Sequence, residues 1–212
     1  AFRGAHGIGA EDKLILVLPG SRRSEVDRLA PIFGEALRPV LAANPGARLV
    51  LPTTETVAGI LAEKLRAWPA APIVLDPRGR RTAEFLAEKR AAFAAADVAL
   101  AASGTVSLEL AASETPMVVA YDMSWLSRKI IGAMLRVDTV TLVNLVSDTR
   151  AVPEFLGPDC RPGPIASALN ALLEDEGARI AQLDAMAATM LKLGRGGEAP
   201  GLRAARSVLK AI

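Results

Sequence analysis

The chain reads as a doubly wound α/β domain, a Rossmann-like parallel sheet with helices on both faces and extra helices at its C-terminal end. Two observations predict this. Short apolar runs and amphipathic stretches alternate five times between residues 14 and 121, with crossovers long enough to make neighbouring strands parallel. The first run, Leu14-Ile-Leu-Val-Leu18, has no polar position, as a strand covered on both faces requires.

Residues 1–13, AFRGAHGIGAEDK, are read as a loose linker, and a chain opening on Ala is read as a piece of a longer protein, with the domain itself over 14–212. Pro19-Gly20-Ser21 ends the first strand. Val26, Leu29, Phe33, Leu37 and Val40 then recur at spacings of three and four, a helix stopped by Asn44-Pro45-Gly46. Leu49-Val-Leu51 is the next strand, 55–68 a helix with Ile60, Leu61 and Leu65 inward, and Pro72–Asp76 a strand closing in a basic turn. A helix over 82–95, a strand Asp97–Ala101, a helix Gly104–Ala112 and a strand Pro116–Tyr121 follow. Beyond Tyr121 the pattern predicts an amphipathic helix near 124–136, an irregular segment over 138–149, and helices near 162–175, 178–193 and 199–211. The last helices are expected to wrap the sheet or reach a partner, a second copy forming a homodimer being one option. GRGGEAPG at 194–201 follows a helix rather than a strand, so it reads as a helix stop and not a phosphate loop.

Composition narrows the function classes. With 25 Lys+Arg against 23 Asp+Glu the net charge is +2, too small to imply attraction to nucleic acid or anionic lipid by charge alone. The lone Cys160 excludes a disulfide framework, and with the lone His6 it leaves no zinc cluster or His-based triad. No metal and no cofactor are expected. No apolar run approaches the ~18 residues of a membrane span, and no secretory signal opens the chain, so a cytoplasmic location is expected.

In an open parallel sheet, ligands bind beyond the carboxyl ends of the strands. Three loops end there. Pro19-Gly20-Ser21-Arg22 delivers a guanidinium to the opening of a helix, where Arg can fork two phosphate oxygens; the alternative is a Ser21 cap and a solvated Arg22. Ala102-Ser103-Gly104-Thr105 offers hydroxyls, a Gly that lets a bulky group approach, and helix N–H groups. Glu109 follows Thr105 by about one helical turn, placed to accept from a ribose diol or simply to stand exposed. Asp76-Pro-Arg-Gly-Arg-Arg81 concentrates three guanidiniums and is carried only as a rim candidate against the reading of a solvated basic turn. The first loop lacks G-x-G-x-x-G and no G-x-x-x-x-G-K-[ST] exists, which disfavours NAD and P-loop chemistry and leaves a mononucleotide or nucleotide-sugar.

At these loops the chain resembles a known family. Leu16-Val-Leu-Pro-Gly-Ser-Arg22 with Glu25, Ala101-Ala-Ser-Gly-Thr-Val-Ser-Leu-Glu109, Pro116-Met-Val-Val-Ala-Tyr121, and Leu142-Val-Asn-Leu with Val152-Pro-Glu-Phe-Leu156 look like successive blocks of the lipid-A-disaccharide synthases, in the family's order over 14–157. The resemblance implies a GT-B glycosyltransferase joining UDP-2,3-diacylglucosamine to 2,3-diacylglucosamine 1-phosphate, with release of UDP. This chain would be the donor-binding second half, inactive alone, and the general base would lie in an absent N-terminal domain. Carried over by motif, Arg22 would stabilise the leaving diphosphate, with Gly20 and Ser21 beside it. Ser103, Gly104 and Thr105 would cradle the diphosphate, Glu109 would hold the ribose, and Asn144 would lie near the donor with no role assigned. Gly157 stands where the family commonly carries Gln. The acylated substrates make the mixed apolar and basic segment 124–136 a candidate for contact with the inner membrane, with packing on the sheet or the other domain as the alternative. A UDP-sugar epimerase half and a non-catalytic nucleotide-binding module remain open at this stage, whereas nucleic-acid binding is disfavoured because Arg78, Arg80 and Arg81 lack interleaved aromatics.

Overall fold

The computed structural model describes residues 1–122, 138–198 and 200–209. Six parallel strands form one sheet in the order β3-β2-β1-β4-β5-β6. They are β1 (Leu14–Leu18), β2 (Arg48–Pro52), β3 (Ile73–Leu75), β4 (Val98–Ala102), β5 (Met117–Tyr121) and β6 (Glu154–Leu156). Among the described residues the helices are α1 (Phe2–Ala5), α2 (Arg23–Ala43), α3 (Ala58–Lys64), α4 (Thr82–Ala95), α5 (Val106–Ala112), α6 (Leu142–Ser147), α7 (Pro162–Glu174), α8 (Glu176–Lys192) and α9 (Pro200–Leu209).

Every residue of β1 is buried. Because side chains alternate across a strand, Ile15 and Val17 enter one core with Val26, Leu29, Phe33 and Leu37 of α2 and Ile165 and Leu169 of α7. Leu14, Leu16 and Leu18 enter the other, with Phe85 and Phe93 of α4, Leu110 of α5, Val143 of α6 and Met186 of α8. Two cores on opposite faces of one sheet make the doubly wound arrangement. The chain builds outward from β1 to β3, then crosses back to β4 and builds outward to β6, so the order reverses between β1 and β4. The helices that follow these two strands, α2 and α5, lie on opposite faces and leave a crevice at the strand ends.

Four differences from the sequence expectations have physical reasons. The opening segment is docked rather than loose: Phe2 and Ile8 are buried, and Arg3 donates to the carbonyls of Ala95 and Asp12 and to the Asp97 carboxylate. The helix expected over 55–68 is shorter and tightens into a 3₁₀ turn over Leu65–Ala67. That turn delivers the buried Trp68 onto Gly34 of α2, where an added Cβ would come within 2.7 Å of the indole. The segment expected to be irregular over 138–149 contains α6, closed by Asp148 in the left-handed conformation. A sixth strand, β6, extends the sheet; three half-buried residues carry too little pattern to announce it. The helix expected near 124–136 lies outside the described residues. Residues 194–197 turn the chain after α8 with Gly194 and Gly196 at positive φ, in keeping with a helix stop.

Candidate functional site

The crevice between the ends of β1, β2 and β4 holds a cleft of about 590 Å³, within the range of roughly 300–1,000 Å³ common for ligand sites. Seven of the eight residues singled out in the sequence line it: Gly20, Ser21, Arg22, Ser103, Gly104, Thr105 and Glu109. Asn144 is not among them.

The lip after β1 is braced from within. Gly20 has φ +112°, and an added Cβ would lie 2.6 Å from Cβ of Glu25. Glu25, on the first turn of α2, accepts from the amides of Ser21 and Arg22 at 3.0 and 3.2 Å through Oε2 and from Arg22 Nη1 at 3.0 Å through Oε1. The carboxylate thus occupies the position at the helix N-terminus that attracts anions. The alternative of a Ser21 cap is not what forms: Arg22 is the N-cap residue, and Glu25 reaches back to its amide. The cation this lip presents to an anion is the Arg22 guanidinium, whose side chain is 77% exposed. The Glu25 end of the pair is enclosed, but the Arg22 end stands in solvent, where screening leaves the guanidinium free to turn toward a ligand.

The lip after β4 is open. Gly104 has φ +154° with nothing within 4 Å of an added Cβ, so space stands directly over the loop. Ser107 Oγ donates to the Gly104 carbonyl at 2.9 Å, and the Ser107 and Leu108 amides donate back to Gly104 and Thr105. This turn holds the loop while the amides of Thr105 and Val106, both in the cleft lining, have no acceptor among the described residues. Glu109, one turn further on, is half exposed and is met at 2.7 Å by Lys89 Nζ from α4. Lys89 and Glu25 were not among the site residues predicted from sequence. Glu25 stands out only with the first family-like block, because Arg22-x-x-Glu25 is not the Ser/Thr-x-x-Glu pattern that announces a capping box. For Lys89 the signal was fainter, a cation four residues from Phe85 and four from Phe93 on an otherwise apolar stripe.

Asn144 does different work. It is fully buried in α6, where its amide brackets Val152, donating to the carbonyl at 2.9 Å and accepting from the N–H at 3.0 Å, and it also donates to Thr139 Oγ1. Beside it the Glu154 carboxylate of β6 accepts from Thr139 Oγ1 and from the amides of Val140 and Thr141. The rim candidates are likewise committed. Arg78 chelates Asp76, Arg80 meets Glu88, and Arg81 meets Glu84, and none of the three arginines lines the cleft. The Arg78 guanidinium holds the Asp76 carboxyl below its usual range. Among the described residues there is no group of three His, Cys, Asp or Glu side chains able to hold a metal, and no helix long and apolar enough to cross a membrane.

A six-stranded parallel sheet with its crevice at the β1/β4 switch point is the architecture of one half of the GT-B glycosyltransferases. The fold is shared with "E. coli ADP-heptose lps heptosyltransferase II" (TM-score 0.58, 16% identity, 83% of this chain and 51% of that one). It is shared too with WaaG, "a glycosyltransferase involved in lipopolysaccharide biosynthesis" (TM-score 0.51, 20% identity, 87% of this chain and 44% of that one). The chain belongs to the lipid-A-disaccharide synthetase family, whose model matches residues 2–199. It is 56% identical over 209 residues to a lipid-A-disaccharide synthase of Ruegeria pomeroyi, covering 99% of this chain and 51% of the relative. It is 42% identical over 216 residues to one from Paramagnetospirillum magneticum, covering all of this chain and 53% of the relative. The chain thus spans about half the length of these curated relatives.

Proposed function

We propose that this chain is the donor-binding half of a glycosyltransferase that joins UDP-2,3-diacylglucosamine to 2,3-diacylglucosamine 1-phosphate, giving the β-1,6-linked lipid A disaccharide and UDP. The observation that carries the proposal is the convergence of Arg22, the open Ser103–Thr105 loop and Glu109 on one cleft, in a chain of this family. In this reading the cleft takes the UDP portion of the donor, with the diphosphate between Arg22 and the Thr105 and Val106 amides and the ribose at Glu109.

During transfer the bond from the donor's anomeric carbon to the β-phosphate oxygen breaks, and its electron pair stays on UDP. The acceptor's 6-hydroxyl oxygen bonds to that carbon and gives up its proton to a base outside this chain. Negative charge grows on the β-phosphate, so a guanidinium and helix amides aimed there favour the transition state over the bound donor. With its base and acceptor site elsewhere, the chain alone transfers no sugar. The acylated substrates place the complete enzyme at the cytoplasmic face of the inner membrane, as a peripheral protein.

Calorimetric titration with UDP tests this. Saturable binding is expected, weakened about tenfold or more by Arg22→Ala or Glu109→Ala, the range for losing a hydrogen bond to a charged group. UDP affinity that neither substitution changes would remove the cleft from the proposal.

A further inference from the structure

We infer that Lys89 is a positioning residue for the donor nucleotide: it fixes the Glu109 carboxylate so that the remaining oxygen receives the ribose hydroxyls. The inference rests on the proposed donor reading and adds to it a residue from a helix that none of the loop motifs contains. Lys89 and Glu109 stand on different helices, α4 and α5, and only the doubly wound topology brings them together at the cleft.

The pair is asymmetric. The Lys89 side chain is 22% exposed and that of Glu109 53%. The ammonium also lies 5.2 Å from the centroid of the Phe93 ring, whose face attracts cations. Phe93 itself is buried in the core. Lys89 is therefore the anchored partner and Glu109 the one being held. Its Nζ takes Oε2 at 2.7 Å, and Oε1 has no partner among the described residues. The cleft's other lining carboxylate, Glu25, has both oxygens engaged by its own loop. Among the described residues Glu109 Oε1 is thus the free carboxylate acceptor in the lining. A glutamate on an exposed helix face without a tether samples several rotamers, and ordering it upon binding costs affinity. Lys89 meets that cost before the ligand arrives.

The test is calorimetric titration of the unsubstituted chain, Lys89→Gln, Lys89→Arg, Glu109→Gln and the Lys89→Gln/Glu109→Gln double variant. The two ligands are UDP and 2′,3′-dideoxyuridine 5′-diphosphate, which lacks both ribose hydroxyls. The expected result is that Lys89→Gln weakens UDP about fivefold and the dideoxy analogue less than twofold. Lys89→Arg keeps most of the UDP affinity, and Lys89→Gln costs nothing further once Glu109 is Gln. Equal losses on both ligands, adding to those of Glu109→Gln, would show Lys89 acting on the diphosphate itself and overturn the inference while the donor reading stands. If the unsubstituted chain bound neither ligand, the donor reading would fall first and the role of Lys89 with it.

Discussion

The cleft at β1/β4 and the margin along β6 both carry polar residues of the family-like blocks, yet the two regions use them in opposite ways. At the cleft, Arg22 and Glu109 are exposed and each holds a single side-chain partner, while the Thr105 and Val106 amides have no acceptor among the described residues. At the margin, Asn144 is buried with its amide fully engaged on Val152 and Thr139, and Glu154 accepts three hydrogen bonds from residues 139–141. Polar groups left with spare capacity beside open space suit a ligand; polar groups spent on buried backbone hold the fold. The same device recurs under β5, where the buried Gln182 of α8 accepts from the Met117 amide and donates to its carbonyl.

The substitution expected to do most damage lies at the margin. Asn144→Leu keeps the size but strands the N–H and C=O of Val152 in a buried place, at roughly 1–3 kcal/mol for each unsatisfied group. Urea unfolding should show a loss of about 3 kcal/mol or more, with UDP affinity of the remaining folded protein unchanged. The opposite pattern, intact stability with lost UDP affinity, would make Asn144 a ligand residue and erase the contrast between the two regions.

Gly20→Ala should come next, because it breaks the one part of the cleft that is tightly built. The new Cβ would meet Glu25 Cβ at 2.6 Å and Oε2 at 2.7 Å, on a backbone at φ +112°. Strain of about 1–3 kcal/mol is expected, together with weaker UDP binding as Glu25 is pushed off the Ser21 and Arg22 amides. A variant as stable as the parent with full affinity would show that the bracing of this lip is dispensable.

How much of this contrast was legible beforehand depends on what each feature needs from tertiary structure. Strands β1 to β5 were readable because an apolar run such as Leu14–Leu18 is local, and α2 because Val26, Leu29 and Phe33 repeat within one helix. The seven cleft residues were readable because strand-end loops in a parallel sheet share one edge. Strand β6 was not, since Glu154 lies in a short run whose pairing with Val119 depends on the whole sheet being assembled. Nor was the role of Asn144, whose partner Val152 is eight residues away around a turn. The Lys89–Glu109 pair spans 20 residues and two helices, a distance that no periodicity encodes.

A smaller effect should appear at Cys160, which follows β6. Burial first, and the Asp122 carboxylate second, push its thiol from 9.0 up to about 11. A raised pKa means that the folded chain keeps the proton longer than the unfolded chain does. Stability from this group is therefore full below about pH 9 and is lost as pH rises towards about 11. Cys160→Ala should flatten that part of the pH–stability curve relative to the parent, and native Cys160 should react with a thiol reagent at pH 8 far more slowly than in denaturant. Equal rates in the two states would place the thiol at the surface and not in the fold.

The smallest effect is expected at the basic turn after β3, where charge invites a functional reading and the geometry argues against one. Arg78 gives its Nε, its Nη2 and its amide to Asp76 on the same turn, so its charge is spent locally. Removing it should leave UDP affinity within about twofold, since an exposed ion pair contributes little and none of its atoms faces the cleft. The change should instead appear in acid. Arg78 keeps the Asp76 carboxyl below its ordinary pKa, so this pair contributes stability above about pH 4 that fades as pH falls and Asp76 takes up a proton. Arg78→Ala should raise the Asp76 pKa, read by NMR titration of its carboxyl carbon, and shift the acid-unfolding midpoint slightly upward. If UDP affinity fell tenfold instead, the turn would belong to the binding surface, and the boundary between spent and available charge would have to be redrawn to include it.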